Sequence, residues 1–132
     1  MARFICLLYV DDAALQALGP EELQRFNAEN VAYDRELVAS GKLVTGAAMA
    51  SPCDALTVRR RGDGLSMTDG PYVETKEHVG GFVLFDVADR DELLAILARD
   101  PMAAYAHFEI REVKNPADPD WEEWANRTYG PR

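Results

Sequence analysis

Apolar residues recur along this chain with two different periods, and the switches between them outline its elements. From Arg3 to Val10, "RFICLLYV" is a short continuous run of branched and aromatic residues, which predicts a strand buried on both faces. Phe4, Cys6, Leu8 and Val10 share one side of it, and Ile5, Leu7 and Tyr9 share the other. "DDAALQALG" predicts a short helical turn. Gly19-Pro20-Glu21-Glu22 then opens a helix, with an early Pro and two carboxylates near the positive end of the helix dipole. That helix runs to Ser40 and stops at Gly41, and its inward stripe is Leu23, Phe26, Asn30, Tyr33 and Leu37.

"KLVTGAAM" predicts a strand, ended by Pro52, and "ALTVRRR" and "LSMT" around Gly62-Asp63-Gly64 predict a hairpin. In "GFVLFDVA", Phe82 and Leu84 oppose Val83, Phe85 and Val87. Asp89 caps a helix through "RDELLAILARD" that ends before Pro101. A brief helical piece to Ala106 leads to a last strand, "HFEIREV". This order predicts an α+β domain of ferredoxin-like type, an antiparallel sheet with helices on one face. Both sheet faces are apolar, yet two helices cover only one. A second copy of the same sheet is the expected cover, giving an isologous homodimer.

Composition narrows the function classes. The chain has 132 residues, enough for one domain with a real core, and no repeat or linker divides it. Its formal net charge of −9 argues against a nucleic-acid partner, since the Arg59-Arg60-Arg61 cluster reads as a solvated strand end. Cys6 and Cys53 stand apart, with Cys6 read as a buried hydrophobe, and neither His78 nor His107 has metal-ligand spacing around it, so no metal or other cofactor is expected. The N-terminus lacks a signal pattern and no apolar run is long enough to cross a membrane, so the expectation is a cytoplasmic protein.

Three places stand out as candidate chemistry. Asn30 is a polar amide on an inward helix stripe and needs a hydrogen-bond partner, either within the core or in a cleft between helix and sheet. Asp100-Pro101 is either a cap or a carboxylate facing that same cleft. "TDGPYVETKEHVGGF", from Thr68 to Phe82, begins as turn chemistry at Asp69-Gly70-Pro71 and ends in a glycine pair suited to a bulge or a close backbone approach. Between them, Glu74, Lys76 and Glu77 offer titratable groups for acid–base work, or form a solvated loop.

That fifteen-residue stretch resembles the signature of the YCII-related, or DGPF-motif, family, with Tyr72 where Phe is usual. The "LLYV" strand, the "PEEL" helix start, "ELVASGKLVTG" and "DP" ahead of the last strand extend the resemblance to about Val113. The expected organisation is therefore a domain over residues 1–114, with 115–132 as an extension whose Trp121, Trp124 and Tyr129 dock on the domain or on its dimer mate. The resemblance implies a ferredoxin-like fold that dimerises into an α/β barrel, and a His–Asp pair in a cleft. The Asp falls on Asp100 and the His position on Asn30, which cannot exchange a proton near neutral pH as imidazole does. Encoding beside extracytoplasmic-function sigma factors, common among such chains, adds a regulatory alternative.

Two function classes follow. In one, a small-molecule cleft with cofactor-independent acid–base chemistry uses Asp100 as the catalytic group, with ligand contacts from Asn30, Tyr33, Tyr9, Asp69, Tyr72, Glu74, Lys76 and Glu77. In the other, the homodimer is a non-catalytic module for a ligand or a protein partner.

Overall fold

The apolar runs assemble into sheets because their backbone groups need neighbouring strands and their side chains need a covering layer. In a computed structural model, residues 1–131 form β1 (Ala2–Val10), α1 (Asp12–Gln16), α2 (Pro20–Ala39), β2 (Leu43–Ala48), β3 (Leu56–Arg61), β4 (Gly64–Asp69), β5 (His78–Val87), α3 (Arg90–Ala98), β6 (Ala106–Glu112) and α4 (Trp121–Tyr129). The main sheet is antiparallel with order β2-β5-β1-β6, so the expected α+β class and helix-on-sheet layering hold. The β3–β4 hairpin forms a separate two-stranded sheet.

One sheet face carries the core. Phe4 and Cys6 of β1, with Phe85 and Val87 of β5, pack against Tyr33 and Leu37 of α2 and Leu93 and Leu97 of α3. Tyr33 also donates its hydroxyl hydrogen to the Ile96 carbonyl at 2.6 Å, tying α2 to α3 by a bond as well as by packing. Asp89 caps α3 by accepting from the Glu92 amide, as its place ahead of the apolar run predicts. The opposite face presents Ile5, Leu7 and Tyr9 beside Phe82 and Leu84, all half-buried and outside that core.

Two features differ from the sequence reading. β5 begins at His78 rather than at Gly81, because the glycine pair lies inside the ladder instead of ahead of it. The tail contains a helix, α4, where only a docked Pro- and Asp-rich segment was expected. Glu122 and Glu123 in its first turn and Arg127 in its last suit the helix dipole, and Trp124 packs on Trp121 and edge-on against Tyr129.

Within the β1–β5 ladder Leu8 faces Gly81 but Tyr9 faces Val79, leaving Gly80 as the extra residue of a bulge. A Cβ on Gly80 would lie 2.6 Å from Cγ2 of Val10, whereas one on Gly46 would lie 2.8 Å from the Phe82 carbonyl oxygen. The first clash is with a side chain, the second with backbone. Gly80→Ala is expected to lower stability by about 1–3 kcal/mol, the usual cost of overpacking. Combined with Val10→Ala, it should cost less than the sum of the two single changes, while Gly46→Ala and Val10→Ala should add. Urea denaturation of the singles and doubles reads both couplings.

Candidate functional site

Two clefts open from the sheet. The helix-side cleft, about 480 Å³, has a floor of small residues from β2 and β5, including Gly46, Ala47, Gly80 and Gly81, and Asp34 of α2 is its one ionisable lining residue. Asp100 stands nearby at the end of α3, where its carboxylate accepts from the Met102 amide at 2.9 Å and so caps the short 3-10 turn Pro101–Ala104. Burial is the main cause that pushes the Asp100 carboxyl above its ordinary value, and the negative charge of Asp34 adds to it against the Met102 hydrogen bond. Asp34 is itself raised by burial. Cys6 lies beneath them, fully buried, with its thiol pushed up to about 12 by burial and by Asp100, so it is inert.

The loop-side cleft is larger, about 1040 Å³, and sits at the end of the sheet under the irregular segment 70–77. That segment starts from a pinned corner: Gly70, at a φ of +105° open to glycine, donates its amide to the Ala55 carbonyl at 2.8 Å. Its own carbonyl accepts from the Thr57 hydroxyl at 2.8 Å. Farther along, the Thr75 hydroxyl donates to the Glu77 carbonyl. The walls combine aromatic and apolar residues, Tyr9, Tyr72, Val73 and Val79 among them, with the charged Glu74 and Lys76.

The eight ligand candidates and Asp100 therefore do not converge on one pocket. Tyr9, Tyr72, Glu74 and Lys76 line the loop-side cleft. Tyr33 and Asp100 lie on the helix side, and Asn30, half-buried, donates its side-chain amide to the Phe26 carbonyl one turn earlier at 3.1 Å. Asp69 ends β4 opposite Leu56, and Glu77 turns to Nδ1 of the exposed His107 at 2.6 Å. The sequence reading missed two groups. Asp34 follows Tyr33 directly and its position beside the stripe was the available signal. His78 stands at the wall of the loop-side cleft with Nε2 against the Asp12 carboxylate, a contact across 66 residues that no spacing reveals. Among the described residues no group of His, Cys, Asp and Glu is arranged to hold a metal ion, and no helix is long and apolar enough to cross a membrane.

A four-stranded antiparallel sheet with helices layered on one face and two clefts beside it defines a small α+β domain. Residues 2–122 match the YCII-related domain, and the chain belongs to that family. It is 36% identical over 97 residues to an uncharacterised protein of Rhizobium meliloti (strain 1021), covering 74% of this chain and 77% of that one. Among solved structures it is similar in fold to 5-chloro-2-hydroxyhydroquinone dehydrochlorinase of Burkholderia phenoliruptrix AC1100 in complex with 2,5-dihydroxybenzoquinone. That likeness has a TM-score of 0.51 at 18% identity, over 86% of this chain and 94% of the other.

The raised carboxyl of Asp100 has a measurable consequence. A carboxyl that holds its proton more tightly in the folded than in the unfolded chain costs stability once it ionises. Its contribution is neutral below the ordinary carboxylate range and turns unfavourable as pH rises through that range to the folded-state value. Asp100→Asn keeps an oxygen for the Met102 amide and removes the charge. Its melting temperature at neutral pH is expected to exceed that of the wild type, with the difference closing at acid pH. A variant less stable than wild type at neutral pH would contradict the burial and Asp34 effects.

Proposed function

We propose that the protein binds a small, flat organic molecule in the loop-side cleft and handles it by acid–base chemistry without a cofactor. The observation that carries this reading is the convergence of Tyr9 from β1 with Tyr72, Glu74 and Lys76 from the segment after β4 on one cleft of ligand size. The two tyrosines offer ring faces to an unsaturated body. Lys76, with no ion pair among the described residues, offers a charge to an oxygen that is negative or becomes so. The bound 2,5-dihydroxybenzoquinone of the structurally similar dehydrochlorinase is a molecule of this kind, which makes it a rational probe. Asp100, readier than an ordinary carboxyl to hold a proton, is the second acid–base group in this reading and serves a ligand that reaches the helix-side cleft.

The finer architecture belongs to the same proposal: a ferredoxin-like subunit paired through its open sheet face into a dimeric α/β barrel. Ile5, Leu7, Phe82 and Leu84 give that face an apolar centre, and a second copy of the same face is its natural cover. Sedimentation at micromolar concentration should then return twice the chain mass, and a monomer would end the barrel assignment.

A second reading, a non-catalytic module for a protein partner, is favoured by the β3–β4 hairpin. Leu56, Val58, Leu65 and Met67 share one of its faces and all are more than half exposed, while Arg59, Arg61, Ser66 and Thr68 share the other. Titration with 2,5-dihydroxybenzoquinone by calorimetry separates the readings. Saturable binding is expected, weakened about tenfold or more by Lys76→Ala, the scale of one lost charge-assisted hydrogen bond, with an unchanged melting temperature. No saturable binding, or binding indifferent to both Lys76→Ala and Tyr72→Ala, would leave the module reading in its place.

A further inference from the structure

The loop-side cleft and the open face of the sheet are one continuous surface. Across the β1–β5 ladder Leu7 pairs with Phe82, and past the Gly80 bulge Tyr9 pairs with Val79. Paired residues share a face, and alternate residues along a strand return to it. Tyr9 and Val79 therefore prolong the apolar patch of Ile5, Leu7, Phe82 and Leu84. The same two residues line the loop-side cleft, whereas His78, its third strand residue, pairs with Val10 and faces the helix side. In the single chain this cleft lacks a wall. Tyr72 is 79% exposed, Val73 62% and Met49 43%, although all three line it. A site that holds a small molecule buries roughly 70–90% of the ligand's surface, which walls this open do not do.

We propose that the loop-side cleft is an intersubunit site: a second copy of this chain, seated on the open sheet face, supplies the missing wall, and only the dimer holds the ligand. The inference rests on the reading that this cleft binds a small molecule, and adds the partner without which the site is incomplete. Size decides that the partner reaches it. A stable interface takes about 800 Å² from each partner, a disc of roughly 16 Å radius. Tyr9 lies one strand repeat beyond Leu7, about 7 Å, so a cover centred on Leu7 and Phe82 extends across the Tyr9–Val79 row to the cleft. Charge decides that a second copy fits. Two chains of net charge −9 repel, yet on this face each acid has a basic group near it. Arg3 stands opposite Asp86, Arg111 and Glu109 alternate on β6 beside Ile5 and Leu7, and Glu77 is bonded to His107 beside Tyr9. A two-fold pairing sets this surface against itself, and a patch with both signs around an apolar centre suits that.

Binding and association are then linked, and 2,5-dihydroxybenzoquinone serves as the probe. With the probe at about ten times its Kd, each site contributes a factor of about 11, so two sites tighten the dimer about 120-fold. Sedimentation of fluorescently labelled protein, diluted through its dissociation range with and without the probe, reads that shift. Leu7→Asp places a charge at the centre of the open face without touching a residue that lines the cleft. It is expected to be a folded monomer by circular dichroism and to lose at least tenfold in probe affinity. A folded Leu7→Asp monomer that binds the probe as tightly as wild type overturns the proposal. So does a wild-type dimer whose dissociation is unmoved by saturating probe, a result that stands even if Leu7→Asp fails to fold. The cleft reading fails separately: a wild type that binds no probe at any protein concentration ends it, whereas a wild type that binds the probe as a monomer ends only the intersubunit site.

Discussion

The pairing of β1 with β5, and the one-residue slip inside it, is the constraint on which both clefts depend. Strand side chains alternate, so with an unbroken ladder His78 would share the open face with Phe82 and Leu84. Gly80 inserts one residue between Leu8–Gly81 and Tyr9–Val79, and everything before it changes sides. His78 thereby arrives beside Val10 and within reach of Asp12. Only glycine fits there, since Val10 already fills the space a Cβ would need. The same small residues that permit the slip leave the floor of the helix-side cleft bare. A glycine pair thus shapes one cavity by what it omits, and the other by the rotation it imposes on the strand.

The two clefts have different electrostatic characters, and this follows from what surrounds them. On the helix side burial raises both Asp34 and Asp100, and the Asp34 charge adds to the rise at Asp100, which favours their protonated forms and a neutral or cationic occupant. On the loop side Lys76 stands among tyrosines and apolar side chains, with Asp54 and Glu74 as the acids of the lining, so a counter-charge for a negative oxygen is available there at Lys76 alone. Tyr33, whose hydroxyl is bonded to the Ile96 carbonyl and raised chiefly by burial, is committed to joining α2 and α3 and is not free for either site.

Much of this architecture is legible in the sequence, and the gaps have physical causes. The strands of the main sheet, α2 and α3 follow from apolar period and capping, because their stripes are long and their ends carry Pro, Asp or Gly. The alternation along "RFICLLYV" already set Tyr9 opposite Cys6 and Leu8, and with it outside any cleft that α2 can reach. Gathering Tyr9, Asn30 and Asp100 into one pocket was at odds with that parity. Asn30 sits on the right stripe, but a helix offers its own carbonyl one turn back, and the amide bonds there rather than projecting into a site. The helix in the tail is obscured because "NPADPD" reads as a breaker and the amphipathic turn after it spans only Trp121–Tyr129. The Asp12–His78 contact depends on a bulge whose position, though hinted at by Gly80-Gly81, decides which side every earlier β5 residue faces.

Asn30 occupies the place where the resemblance to the family implies a histidine, and this bears on where proton transfer takes place in this chain. An amide bonded into its own helix cannot assist Asp100, which leaves that carboxyl with Asp34 as the ionisable neighbour that raises it. Two carboxyls without an imidazole can still share protons, and burial raises both. The imidazole of His78 stands instead at the far end of the β1–β5 ladder, with Nε2 against the Asp12 carboxylate and Nδ1 buried. The same sheet and helices therefore carry two different linings: carboxyls raised by burial on the helix side, and Lys76 with two tyrosines on the loop side, where the proposed ligand would sit.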